Sequence, residues 1–481
     1  MWFASRSPPP KVPTDRVTRM HYFDDTIVFR TFVLYSLFVF DDVLDVQKLK
    51  AALEKVVRRE GWNKLGGRVR RDKRGHLELH VPDEFTKERP AIGFTYVDET
   101  HHICADHPVA SRIPKPPSGP HPAVVGNPGD AFPLVAGDGV PERLDDYLYT
   151  DQPALGLRVI SFADKTVVSL NWLHSILDAL ASRRLLDAWA LALQGREDEI
   201  PFPQAVEMDP LAELGLYPTE KHVLASQHMT ASDLAKYGIC NFLDLAWRSK
   251  ESRVVCVPKL FIDKLRNQAL AELTAAGETD PFVSEGDVLT AWFARLSACN
   301  MSKDSNRTVA IQNAYSWRDS LEQDLLIPGR PYISNCVGFV VTLLPAKELL
   351  SKPLSHTARA IRNSIREQGG REQIKAYAAL VRKDPKYKMI PMFGDSGMQL
   401  FMFSNWQKGR LYEADFAAAA ADSRRGRPLT PSYVHNLQSP HNFSDGFIIP
   451  GRDAQGNYWI GGFRVKGLWA KMEKEMASQR I

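Results

Sequence analysis

Cysteine is scarce: five residues in 481, Cys104, Cys240, Cys256, Cys299 and Cys336, with no CxxC pair and no histidine beside them at ligand spacing. That scatter excludes a disulfide framework and a cysteine zinc site, and it predicts reduced, mostly buried thiols in a cytoplasmic protein. An excess of charge of one sign is missing too. Lysine plus arginine number 61 and aspartate plus glutamate 57, a net of +4 with no basic run, which predicts neither a nucleic-acid nor an anionic-membrane partner. No apolar stretch is long enough to span a bilayer. The strongest, Phe29 to Phe40, is interrupted by Arg30 and Thr31 and reads as a core strand. Met1 to Pro13 carries Pro8-Pro9-Pro10 where a signal peptide needs an apolar core, so it reads as a disordered leader. A glycine-rich phosphate loop is absent as well.

What is present is alternation of strand-like and helix-like segments in two halves. Val43 to Arg59 repeats apolar residues at helical spacing; Arg68 to Arg70 and His76 to His80 alternate around Asp72-Lys73-Arg74-Gly75 as a hairpin. Pro108 to Pro141 is dense in proline and glycine without periodicity and reads as a long surface loop. Leu157 to Phe162 and Thr166 to Leu173 form a second hairpin, and Ala179 to Leu193 is helical, so His174 stands at a strand-to-helix junction. Prolines return around Ile200 to Pro218, and Tyr217 to Lys250 is irregular with helical pieces. The expected division is therefore 1–215, a crossover at 216–252, and 253–481. In the second half Val254 to Val257, Val309 to Tyr315, Val337 to Leu344 and Leu400 to Ser404 are strand-like. Leu260 to Leu273, Leu354 to Glu367 and Ala376 to Arg382 are helical, as is Ser284 to Leu296 behind its Ser284 N-cap.

Among possible proton-transfer pairs, His174 and Asp178 in His174-Ser175-Ile176-Leu177-Asp178 most clearly leave a strand end. A neutral imidazole can take the proton of an alcohol attacking a carbonyl, an effect worth about 10²–10⁴-fold. On spacing alone HxxxD is a weak pattern, and a surface histidine beside a helix-start aspartate outweighs the catalytic reading.

The surroundings change that balance. Leu53 to Arg68, His174 to Asp178, Val283 to Phe293, Asn313 to Arg318, Tyr332 with Ser334-Asn335, Ser404-Asn405-Trp406 and Leu411 to Phe416 resemble, in order and spacing, successive motifs of the BAHD superfamily of acyl-CoA-dependent acyltransferases. The chain departs from the family pattern at Ala179 and Ser334, where glycines are usual. It departs again at Ala417 to Ala421, which replace the glycine-tryptophan-glycine of the last motif after Asp415-Phe416. That run can be helical.

The resemblance implies an α/β fold of two similar chloramphenicol-acetyltransferase-like domains, each a mixed sheet with helices, with a tunnel between them. It implies an acyl-CoA co-substrate, with acetyl-CoA the commonest donor, and an alcohol acceptor from fungal specialised metabolism: a terpenoid, polyketide or alkaloid. A monomer without metal or prosthetic group is expected. By the same resemblance His174 is the general base, and Asp178 is an organiser paired with Arg318, which otherwise reads as a surface arginine beside Asp319. Trp406, or Ser404, is the oxyanion donor, although a lone tryptophan is as readily a core residue. Asp415 supports the tunnel or is a plain surface acid. Lys259, Lys264 and Arg266 are candidates for the CoA phosphates or a solvated helix face. The rival reading is a condensation-domain-like or catalytically silent tunnel protein that binds ligands or partners.

Overall fold

Runs of β-branched and aromatic residues bounded by turn formers become strands, and three-four repeats become helices. The computed structural model describes residues 7–204, 208–242, 247–322, 324–422, 426–440 and 445–479. The first part of the expected leader, residues 1–6, lies outside them.

The strands described are β1 (Arg16–Arg19), β2 (Val33–Phe40), β3 (Arg68–Arg71), β4 (Leu77–Val81), β5 (Gly93–Glu99), β6 (Ala123–Gly126), β7 (Leu155–Phe162) and β8 (Thr166–Leu173). They continue with β9 (Lys250–Val257), β10 (Thr308–Ser316), β11 (Val337–Pro345), β12 (Gln399–Asn405), β13 (Tyr433–Ser439), β14 (Gly446–Arg452) and β15 (Tyr458–Val465). One sheet runs β13-β2-β8-β7-β5, a second β11-β10-β12-β14-β15-β9-β6, and a small third β1-β4-β3. Pairing is mixed: β5 with β7, β10 with β12 and β12 with β14 are parallel, the rest antiparallel. Each large sheet borrows an edge strand from the other half of the chain. β13 pairs with β2 over Tyr433↔Val39 to Ser439↔Val33, and β6 pairs with β9.

Two expectations fail. Phe29 to Phe40 is not one strand: Phe29–Thr31 is a single 3-10 turn, and the strand begins at Val33. The Thr31 hydroxyl donates to Val28 O at 2.7 Å and Arg30 Nε pairs with Asp25 Oδ1 at 2.5 Å, so side chains close the turn. The Pro108 to Pro141 stretch is not structureless, for it supplies β6, 3-10 turns at Ala110–Arg112 and Pro128–Ala131, and a helical turn at Phe132–Val135. These pieces are too short to register as periodicity.

Helices cover the sheets. Asp45 caps Val46–Arg58 through Lys48 N at 2.9 Å, and Leu49, Leu53, Val56 and Val57 are its buried face. The helix Ala179–Leu193 packs beside it, with the Trp189 indole donating to Leu49 O at 3.0 Å. Ser284 caps Glu285–Ser297 in a reciprocal box with Asp287. No helix among the described residues is long and apolar enough to cross a membrane.

Packing is close beside Arg318. A Cβ built on Gly338 of β11 would stand 2.3 Å from Cζ2 of Trp317, a ring only 3% exposed. Gly338→Ala is expected to cost about 1–3 kcal/mol, read as a lower urea midpoint with an unchanged slope.

Candidate active site

β8 ends at Leu173, and the chain must turn from sheet to helix within a few residues. Main-chain bonds fix that turn: His174 N donates to Phe32 O at 2.8 Å and Ile176 N to Leu173 O at 2.8 Å. The Trp172 indole donates to Leu177 O at 2.9 Å. His174 consequently projects into a cavity of about 1040 Å³ that also takes in Phe29, Asp178, Arg318, Ser404 and Trp406. Burial, the largest influence, pushes the His174 imidazole below its ordinary value, and its own carbonyl, Asp178 and Asn335 only partly oppose this. It is therefore neutral, the form a base requires, at neutral pH.

Asp178 faces away from that imidazole's task. Its Oδ1 caps the helix through Leu180 N (3.1 Å) and Ala181 N (2.9 Å), while Oδ2 accepts from Arg318 Nη1 and from Cys336 N, both at 2.8 Å. Burial raises the carboxyl, and the Arg318 charge with these donors outweighs it, holding the group below its ordinary value. Arg318 Nη2 in turn donates to Tyr332 O at 3.0 Å and Ser334 O at 2.7 Å. One carboxylate thus ties the helix start to the segment 332–336 from the other half of the chain.

A second layer lies behind it. Asn335 Nδ2 donates to His174 O at 2.9 Å and to Asp24 Oδ1 at 2.8 Å, and Asn335 N bonds the same oxygen at 2.7 Å. Lys64 Nζ reaches Ser334 Oγ at 2.5 Å, and His21 shares a hydrogen bond with the Tyr332 hydroxyl at 2.9 Å. Asp24 and Lys64 were not legible as site residues, for nothing in their spacing signals them.

The end of β12 and the residue after it bring Ser404 and Trp406 to the same cavity. The Trp406 indole N–H is engaged, donating to Ser404 Oγ at 2.8 Å, and Trp406 N bonds Ile449 O. Of the three basic candidates only Arg266 lines the cavity, its Nε on Val283 O at 2.9 Å, and Lys259 and Lys264 do not. Lys259 pairs with Asp263 instead. Asp415 also stands off the cavity: its Oδ1 accepts from Ala417 N and Leu429 N, both at 2.9 Å. The alanine run makes one 3-10 turn, Ala417–Ala419, and Ala420 then bridges to Leu44; part of the Asp422-Ser423-Arg424 continuation lies outside the described residues. Among the cavity residues that sequence reasoning missed are Phe29 and His435. Phe29 stacks on His174, and His435 on β13, held near 4 by burial, has an unpartnered Nδ1. Glu99, His101 and His102 gather within 4.8 Å of one another at the far end of β5, away from the cavity.

The sequence pattern of the Transferase family matches residues 140–459. The "Transcriptional regulator calD" of Penicillium decumbens is 36% identical, covering 100% of this chain and 99% of its own length. The "Acetyltransferase adrJ" of Penicillium rubens is 34% identical over 98% of each. The crystal structure of F. sporotrichioides TRI101 complexed with coenzyme A and T-2 matches with a TM-score of 0.67 at 14% identity, covering 96% of this chain and 97% of that one. The last likeness speaks to fold alone.

Proposed function

The chain belongs to the Transferase family, the BAHD acyl-CoA-dependent acyltransferases, and from that premise we propose a direct transfer in which His174 deprotonates the acceptor hydroxyl. The protein is an acyl-CoA:alcohol O-acyltransferase of fungal specialised metabolism. The observation that carries the residue roles is a neutral histidine at a strand end, inside one cavity with Ser404 and Trp406. The alcohol oxygen attacks the thioester carbonyl as its proton passes to the imidazole. The resulting oxyanion collapses, the C–S bond breaks, and the imidazolium returns the proton to the departing CoA sulfur. Acetyl-CoA is the donor we propose, as several relatives are named acetyltransferases. Arg266, which lines the cavity, is the basic residue we assign to the CoA phosphates, and the division at 216–252 belongs to the same reading.

Two relatives are named transcriptional regulators, yet a net charge of +4 without a basic stripe favours small-molecule chemistry over nucleic-acid binding. Release of CoA thiol from acetyl-CoA, with mass-spectrometric detection of an acetylated product in extracts of a producing fungus, tests the activity. A protein that binds such extracts without releasing thiol would overturn it.

Because the Trp406 N–H is spent on Ser404, the direct oxyanion donor we propose is the Ser404 hydroxyl, with Trp406 orienting and polarising it. Ser404→Ala is expected to lower kcat about 10²-fold with little change in KM, and Trp406→Phe to lower it by less. A larger loss in Trp406→Phe would make the indole the direct donor.

A further inference from the structure

The imidazole of His174 is covered on one face by Phe29, the ring centroids 4.2 Å apart and the planes within 7°. Phe29 is buried and cannot drift. Its main-chain N–H donates to Thr26 Oγ1 at 3.2 Å, the Thr31 hydroxyl closes the same turn, and Phe32 O holds His174 N. The histidine is the base only if its protonated form is tolerable for the lifetime of the intermediate. Little nearby offsets that charge. Nδ1 is buried without a partner in hydrogen-bonding geometry, and the Asp178 carboxylate is already engaged with Arg318, Cys336 N and the helix start. The remaining groups facing the ring are its own carbonyl and Asn335, whose amide is held by Asp24. An aromatic face within about 6 Å attracts a cation, most strongly where water is excluded.

We propose that Phe29 is a positioning residue for the proton transfer, fixing the plane of the His174 ring and stabilising the imidazolium through cation–π attraction. The inference rests on His174 as the base. It assigns a specific duty to the 3-10 turn that interrupts the expected strand: the turn sets the phenyl ring flat on the imidazole.

The test uses the full-length protein labelled with 13C at histidine Cε1, the His174 resonance being identified by its loss in His174→Gln. Phe29 is replaced by 4-fluoro-, 3,5-difluoro- and pentafluorophenylalanine, which keep the shape of the ring while draining the charge from its face. The His174 titration midpoint is expected to fall stepwise along the series, by roughly half to one and a half pH units in all, with thermal midpoints nearly constant. Phe29→Leu, which has no ring face, should fall inside the series, short of the pentafluoro variant whose face is reversed in sign. A midpoint that stays flat across the series would reduce the stack to packing and overturn the inference. CoA release by His174→Ala, measured alongside, separates the two readings: full activity there defeats the base assignment, whereas a flat titration with an inactive His174→Ala defeats only the role of Phe29.

Discussion

Replacing His174 with alanine is expected to lower kcat for CoA release by about 10²–10⁴-fold while leaving the thermal midpoint close to wild type. The side chain carries no hydrogen bond on which the fold depends. What holds the junction is main chain, His174 N on Phe32 O and His174 O under Asn335, and alanine keeps both. Loss of rate without loss of stability is therefore the signature of a chemical role. The pH profile of the wild type adds a second readout. Burial depresses the imidazole below its ordinary value, so the acid limb of activity should lie lower than for a free histidine, with the rate declining as pH falls through the lower folded value. The unfolded chain takes up that proton first, so stability declines with acid from the ordinary imidazole value down to the lower folded one, ahead of the loss of activity. His174→Ala should show neither dependence from this group, and an unchanged acid limb in the residual rate would assign the limb elsewhere.

Much of this site was legible because its elements announce themselves locally. Ala179–Leu193, Glu285–Ser297 and the hairpin of β7 and β8 carry long periodic runs with caps, and the structure places them within about a turn of their expected bounds. The meeting of Asp178 with Arg318 was not periodic at all; only resemblance to a family joined two residues so far apart in the chain. The pair β14 and β15 and the helix Leu468–Ser478 went unassigned, and part of what escaped was non-local. β13 was not assigned, since its partner β2 lies almost the whole chain away and its polar members His435, Asn436 and Gln438 hide its pattern. The 3-10 turn at Phe29 escaped because its cause is side-chain hydrogen bonding inside an apolar run, and hydrophobicity alone cannot see that. The layer of Asp24, Lys64 and Asn335 exists only once three distant segments have packed.

Asp178→Asn is expected to destabilise the protein by about 3–5 kcal/mol in urea unfolding, and to reduce kcat by more than its stability loss explains. The amide oxygen can still cap the helix at Leu180 N and Ala181 N, but the other position becomes an NH₂ facing two donors, Arg318 Nη1 and Cys336 N. Arg318 then keeps only the Tyr332 and Ser334 carbonyls in a buried setting, a cation without its counter-charge. Relaxation of 332–336 would move Asn335 and with it the main chain of His174, and a displacement of about 1 Å at a reacting group costs on the order of 10²-fold. Arg318→Gln combined with Asp178→Asn should destabilise by less than the two single changes added, because the orphaned charge is gone. The sign with pH follows from the depressed carboxyl. Its contribution is complete above the ordinary carboxylate range and fades as pH falls through the folded value, so the gap between wild type and Asp178→Asn should be constant at neutrality and narrow only in strong acid. A gap that is equally wide in acid would mean that the ion pair is not what holds the two halves of the site together.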